Sequence, residues 1–358
     1  MHARWAGARH RVPLPAAGER QASVARAPRL PHAGALEAPR RPASLHRGRR
    51  QLRLHQRARL RPARHGLWRR VRHLRGHRGA APRCDALAGR QHLPARARLG
   101  QPSGYLHRYT HTRSMPELQP LLRTASHYAI WDDHDFGPND ADGSWIHADL
   151  ALECFDLFWP NPTCGAPGVK GAITAFSYGD VDFFLLDDRT YRTRAGLKTA
   201  PAAMLGAAQL DWLIRALKYS DAPFKLVAVG SQVLNSAAVH ETYATLPQER
   251  AELLRRIEEE GIAGVVFLTG DRHHTVLSAL QLKDGRTLYD LTSSPLTSGV
   301  HGPKEDNAHR VEGTLVEQRG FATLSFTGKR KERVMTMRAH DAEGRVLWER
   351  VVAQEKRP

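Results

Sequence analysis

The chain has 358 residues and a formal net charge of +18 at pH 7, and its length suits one large or two ordinary domains. Its three cysteines, Cys84, Cys154 and Cys164, exclude a disulfide scaffold and a four-cysteine zinc site. Since no apolar run of about 18 residues occurs, the sequence predicts no membrane-spanning helix.

The positive charge is concentrated in the N-terminal part of the chain. Residues 1–100 hold 25 of the 54 Lys and Arg residues, all of them Arg, but only 3 of the 36 acidic residues. The same segment contains no Ile, Phe, Tyr, Thr, Asn or Lys, so it has little to bury in a core. We therefore expect residues 1–101 to be disordered or frame-shifted and residues 102–358 to form the folded domain. The alternative is a basic arm that binds nucleic acid.

A frame shift explains the composition of this segment better than a basic arm does. An amino-acid sequence rich in Arg, Ala, Pro and His results when a G+C-rich gene is translated in the wrong reading frame. Codons can be chosen for Arg50–Gly79 and Asp85–Gly100 so that a one-base shift produces strand-like text containing the strings GSC and GDNIY. The hypothesis is that residues 50–102 are read out of frame, and the nucleotide sequence of the gene tests it.

From Tyr105 onward the composition is that of an ordinary α/β protein. The spacing of apolar residues predicts helices at Met115–Thr124, Trp145–Phe158, Ala202–Lys218 and Gln248–Glu260. Apolar runs predict strands at His127–Trp131, Ala175–Tyr178, Val181–Leu186, Lys225–Val229, Val265–Thr269 and Leu288–Ser293, and then a meander of Phe321–Phe326, Val334–Ala339 and Val346–Val351. The alternation of helices with buried strands predicts a layered α/β fold.

An acidic loop, IWDDHDFGPND, follows the first of these strands. It places Asp132, Asp133 and Asp135 around His134. Such closely spaced like charges repel one another unless a cation or strong hydrogen-bond donors neutralise them. The loop therefore indicates a metal site, and the alternative is a solvated acidic turn.

A second cluster, VVFLTGDRHHTVL, combines an apolar strand with Asp271, Arg272, His273 and His274. Neutral imidazoles beside a carboxylate are natural metal ligands. The alternative is a surface His pair that caps a turn.

Two further strand ends carry polar residues. Arg189, in FFLLDDRTYRTR, suits bidentate recognition of phosphate, or else it forms an Asp–Arg ion pair that holds the strand end. Gln232 and Asn235, in VAVGSQVLNS, are candidates for hydrogen bonds to a substrate oxygen, or else they satisfy buried backbone groups. His240 and Glu241 follow a few residues later.

Five stretches that occur in order, YAIWDDHDFGPNDA, FLLDDRTYR, VAVGSQVLN, FLTGDRHH and LTSSPLTSG, resemble the alkaline phosphatase D (PhoD-like) family of metallophosphatases. The resemblance spans about Tyr105 to Val351. It implies a calcineurin-like fold of two packed β-sheets flanked by helices, and hydrolysis of phosphate mono- or diesters. It also implies two or more metal ions, iron with calcium, and export from the cytoplasm, although no signal peptide with an apolar core is readable.

The resemblance, together with the residue patterns, assigns roles to individual residues. Metal ligands are expected among Asp132, Asp133, Asp135, Asp271, His273 and His274. His134 or a neighbouring acid is expected to protonate the leaving oxygen, and Arg189 or Arg272 is expected to balance charge on the phosphoryl oxygens. The Cys, Asp and Tyr ligands in the family's N-terminal strands are missing from the chain as written. An inactive fragment of such an enzyme is therefore an alternative to an active phosphatase.

Overall fold

The structure, a computed structural model, describes residues 84–87, 100–194, 196–199 and 201–355. Most of the predicted N-terminal segment, and with it most of the proposed frame shift, lies outside the described residues. Within the described ranges, no helix is both long enough and apolar enough to cross a membrane.

The described residues form eleven strands, six α-helices and one short 3₁₀ helix. The strands are β1 (Cys84–Leu87), β2 (Ser126–Ala129), β3 (Thr174–Tyr178), β4 (Val181–Leu185), β5 (Phe224–Ala228), β6 (Val265–Thr269), β7 (Val276–Gln281), β8 (Thr287–Thr292), β9 (Gly320–Thr327), β10 (Val334–Asp341) and β11 (Val346–Ala353). The helices are α1 (Pro102–Arg113), α2 (Gln119–Leu122), α3 (Asp133–Phe136), α4 (Ala148–Phe158), α5 (Gly206–Tyr219) and α6 (Pro247–Glu259), and the 3₁₀ helix is Tyr243–Thr245.

Six strands form a mixed sheet in the order β3-β4-β5-β6-β8-β7. Strands β4, β5, β6 and β8 run parallel, and β3 and β7 pair antiparallel at the two edges. The central strands β5 and β6 read FKLVA and VVFLT, as expected for parallel strands that are covered on both faces. Because the carboxyl ends of parallel strands meet at one edge, the loops that follow these strands gather there.

Each face of this sheet is covered by a different layer. On one face, Leu213 of α5 and Ile257 of α6 share a core with Phe267 of β6. On the other face, Met337 of β10 shares a core with Leu226 of β5, so the three-stranded sheet β11-β10-β9 packs on the larger one. The expected architecture of two packed sheets with flanking helices is confirmed.

A third core lies between the acidic loop and the N-terminal helices. Tyr105 and Tyr109 of α1 pack with Phe155 of α4 and with Trp131, which directly precedes the acidic residues. Strand β1 pairs parallel with β2. It lies inside the segment for which the sequence predicts missing strands, so one short strand of that segment is present.

Candidate active site

The acidic loop follows β2, which pairs with β1 in a two-stranded sheet, and it meets the turn at the carboxyl end of β6 in the six-stranded sheet. Carboxylate oxygens of Asp132, Asp133 and Asp271 lie within 4.8 Å of one another. Asp132 and Asp133 are fully buried, whereas Asp271 is half-buried. The acidic loop and the β6 turn thus bring three carboxylates together.

The backbone of the acidic loop holds its own carboxylates in place. Asp132 caps the short helix α3 by accepting a hydrogen bond from the Asp133 N–H at 2.9 Å. Asp133 in turn accepts from the N–H groups of His134 at 2.8 Å and Asp140 at 2.9 Å. Asp132 Oδ2 is buried and has no hydrogen-bond partner. Because buried polar atoms normally have a partner, this oxygen is a candidate ligand for a cation or acceptor for a hydrogen-bond donor.

A second group of carboxylates shares Asp133. Oxygens of Asp133, Asp140 and Glu241 also lie within 4.8 Å of one another. Asp140 is exposed and has a φ of 55°, a left-handed conformation that is uncommon for a residue other than glycine. Asp140 and Glu241 were not predicted as site residues, because nothing in the sequence shows that Glu241 returns to the acidic loop.

Arg189 lies within these acids, completely enclosed. Its Nη2 donates to Asp132 Oδ1 and, at 2.8 Å, to Glu241 Oε2, while Nη1 donates to Glu241 Oε1 at 2.9 Å. Its Nε lies 3.5 Å from Asp188 Oδ1. The guanidinium therefore compensates three carboxylates, and its expected contact with phosphate stays a prediction.

Asp188 is the acid of this cluster with the fewest contacts. It is fully buried and neither of its oxygens has a hydrogen-bond partner. Burial raises the pKa of Asp188 well above its usual value, with Arg189 opposing and Asp132 adding to the rise. Gly230 is required beside it, because a Cβ there would lie 2.5 Å from Asp188 Oδ2 and 2.8 Å from Asp132 Cγ.

The turn after β6 is strained at two positions. Asp271 and His273 have φ values of 62° and 59°, and they flank Arg272. Strain of this kind in residues other than glycine clusters at functional sites. The neighbouring His274 is buried with Nδ1 3.2 Å from the His301 carbonyl, and burial lowers its pKa, which keeps the imidazole neutral at pH 7.

Several other predicted site residues are not members of either carboxylate group. His134 is buried, with Nε2 3.6 Å from Asp133 Oδ2. Burial, and secondarily the Asp132 carboxylate, raises the pKa of Asp135 to about 7. Neither carboxylate group found among the described residues includes Asp135, His273 or His274, so their roles as ligands stay predictions.

A pocket of about 510 Å³ opens above the carboxylates. All of its lining side chains are polar or charged, apart from one glycine. The lining residues are Asn139, Asp140, His240, Glu241, Asp271, Arg272, His273, His301, Gly302, Lys304 and Glu305. Gln232 and Asn235 are buried behind this wall, and their expected role in substrate binding stays a prediction.

A mixed sheet packed against a second sheet, with converging carboxylates beside a polar pocket, defines a layered α/β protein with a candidate hydrolytic site. The model of the PhoD-like phosphatase family matches residues 76–343, and the chain belongs to this family. The matched region begins before residue 102, where the sequence analysis places the start of the folded domain.

A solved structure agrees with this assignment at the level of the fold. A structure described as that of PhoD aligns with a TM-score of 0.55 and 19% sequence identity, covering 71% of this chain and 56% of that chain. The present chain thus spans a little over half the length of that relative. A Vps29 single mutant from Entamoeba histolytica aligns with a TM-score of 0.25 and 12% identity, covering 75% of this chain and 98% of that one. No curated protein sequence matches the chain.

Proposed function

We propose that this chain hydrolyses phosphate mono- or diesters with metal ions bound by Asp132, Asp133 and Asp271. The convergence of these three carboxylates within 4.8 Å, with Asp271 lining the pocket, carries the proposal. Carboxylate oxygens are the preferred ligands of hard cations, and the buried Asp132 Oδ2 has no other partner. The donor set therefore fits a metal ion, and the family resemblance makes iron and calcium the first ions to test.

A metal ion bound by these carboxylates would supply Lewis-acid polarisation of the phosphoryl group. Arg272, at the wall of the same pocket, is positioned to donate to phosphoryl oxygens and balance their charge. His134 is the proposed donor of a proton to the leaving oxygen. The imidazoles of His273 and His301 line the pocket and are the alternative donors.

One observation favours a second candidate, an inactive chain. Arg189 forms ion pairs with Asp132, Asp188 and Glu241, and Arg192 forms a second ion pair with Glu241. Buried guanidinium groups that offset part of the negative charge of these acids reduce their need for a cation. If the written chain also lacks the family's N-terminal ligands, it would bind metal weakly.

Metal analysis together with hydrolysis tests both candidates. The purified full chain is assayed for iron and calcium content, and for hydrolysis of an aryl phosphate monoester and diester, before and after chelation. We expect Asp271→Asn to lose both metal and hydrolysis. Asp149→Asn, whose side chain is 79% exposed, is the matched control and should change neither. Hydrolysis that survives complete removal of metal would contradict the proposal.

A repaired chain, with the shifted frame restored between residues 50 and 102, separates the active from the inactive candidate. Metal-dependent hydrolysis in the repaired chain alone would identify the written chain as inactive. In whichever chain is active, His134→Ala should lower turnover by about 10²-fold or more. If His273→Ala lowers turnover and His134→Ala does not, the proton donor is in the pocket wall instead.

A further inference from the structure

Arg272 is held at the pocket wall by a frame of three hydrogen-bonded side chains, those of Glu305, Gln232 and Asn235. Its side chain is 6% exposed and lines the pocket. Its Nη2 donates to Glu305 Oε1 at 2.7 Å, and its Nη1 donates to Gln232 Oε1 at 3.1 Å. An arginine carries five N–H groups, so these two contacts leave donors on the part of the side chain that faces the pocket.

The two acceptors that hold Arg272 are themselves held in place. Asn235 Nδ2 donates to Gln232 Oε1 at 2.8 Å and to Glu305 Oε1 at 3.2 Å. Gln232 Nε2 donates to Thr292 Oγ1, on the neighbouring strand β8, at 2.9 Å. The amide groups of Gln232 and Asn235 are thus engaged within the frame, which leaves them poorly placed to contact substrate directly.

Glu305 reaches this frame from the segment that follows β8. That segment is attached to the β6 turn, since the His301 N–H donates to the His273 carbonyl at 3.1 Å. Burial works against the charged form of Glu305, but hydrogen bonds and the Arg272 guanidinium outweigh it and lower its pKa. A charged, nearly enclosed partner therefore fixes the orientation of the guanidinium.

We propose that Glu305 is a positioning residue that orients Arg272 toward an oxyanion of the phosphate ester, and that Gln232 and Asn235 complete this frame. The nature of the anion rests on the proposed function. A guanidinium held as a rigid planar fork binds phosphate oxygens without first losing rotamer freedom, which is the benefit of pre-organisation.

The negative charge of Glu305 and its positioning of Arg272 predict opposite effects on phosphate binding when Glu305 is removed, so the two roles can be distinguished by experiment. Glu305 is an anion at the wall of an anion site, so removing its charge would tighten phosphate binding if it acted only through its field. If Glu305 acts by positioning Arg272, its removal weakens phosphate binding instead.

The test measures the Kd for inorganic phosphate by titration calorimetry on the purified full chain with the metal content established by the metal analysis above. We expect Glu305→Ala to weaken binding by about tenfold, the loss typical of a hydrogen bond to a charged group. Asp306→Ala is the matched control, because it removes the same charge from an exposed neighbour that does not line the pocket. Its Kd should stay the same or fall.

Two further variants establish that the effect passes through Arg272. In an Arg272→Ala background, Glu305→Ala should cause no further weakening. Glu305→Asp keeps the charge but withdraws the carboxylate by one methylene, so it should also weaken binding, and it serves if the Ala variant does not fold. The inference is overturned if the parent does not bind phosphate, if neither Glu305 variant weakens binding, or if the effects of the two sites add. Coupled phosphate binding in a chain that hydrolyses neither ester would sink the proposed function and leave this inference standing.

Discussion

Two buried arginines of the candidate site, Arg189 and Arg272, have different partners. Arg189 is fully enclosed and contacts three carboxylates, those of Asp132, Asp188 and Glu241. Arg272 contacts one carboxylate and one amide oxygen, and it lines the pocket. The guanidinium of Arg189 is surrounded by carboxylates and offsets part of their charge. The guanidinium of Arg272 has only two protein acceptors at the pocket wall, so it keeps N–H groups that can donate to a ligand. The sequence predicts phosphate contact for both arginines, and the partners distinguish them.

The largest expected effect is at Arg189. Arg189→Met should lower the free energy of unfolding by about 3–5 kcal/mol, because it leaves buried carboxylates uncompensated. Urea denaturation measures the loss. Arg194→Met is the control, since that side chain is 74% exposed and its nearest carboxylate oxygen is 3.8 Å away, and it should stay within about 0.5 kcal/mol of the parent. A loss at Arg189 as small as that at Arg194 would remove the difference between the two arginines.

Replacing Gly230, which lies beside Asp188 and Asp132, tests the group of acids around Arg189 while leaving both arginines in place. Gly230→Ala should lower hydrolysis by about 10²-fold, because the new Cβ would displace Asp188 and Asp132. Gly299→Ala is the control, since the nearest atom to its Cβ would be His301 Nε2 at 3.6 Å, an ordinary contact. Equal activity of the two variants would show that the position of Asp132 does not matter for hydrolysis.

Replacing Arg272 by Met should lower the free energy of unfolding less than replacing Arg189 by Met. Arg272→Met leaves one buried acid, Glu305, without its cation, so the free energy of unfolding should fall by about 1–3 kcal/mol. Replacing Glu305 by Met as well should recover much of this loss, since removing both partners leaves no buried charge. Urea denaturation of the three proteins checks the order. A greater loss at Arg272 than at Arg189 would reverse the comparison.

The smallest expected effect concerns pH and the segment that carries Glu305. Burial, and then the nearby Arg250, lowers the pKa of His309 below 6.5. The unfolded chain therefore binds more protons than the folded chain just below that pH, and the stability that neutral His309 provides is lost as pH falls. From about pH 7.5 to about pH 5.5, His309→Gln should lose slightly less stability than the parent in urea denaturation. Identical losses would show that His309 does not link this segment to pH.

The main strands were predictable because strands that are buried on both faces consist of short runs of apolar residues. The apolar runs of β5 and β6 could only be central strands, and α5 and α6 show regular apolar spacing. Helix α1 was not predicted, because PSGYLHRYTHTR has no apolar stripe and its burial depends on Tyr105 and Tyr109 reaching α4. Strand β7 was not predicted either, because VLSALQ directly follows the His pair and its pairing with β8 is not visible locally.

The sequence by itself determined which chemical groups stand at the strand ends. Asp132 and Asp133 after β2, and Asp271 after β6, are local features of the sequence. Their meeting was decided by tertiary packing, because β2 pairs with β1 in a two-stranded sheet whereas β6 lies in the six-stranded sheet. Tertiary structure alone decided which distant residues join them. Glu241 reaches Arg189 across 52 positions, and Glu305 reaches Asn235 across 70. It also decided that Arg189 is enclosed while Arg272 faces a pocket. Both outcomes depend on strand order and on the path of long loops, because contacts between distant residues arise only when the layers pack.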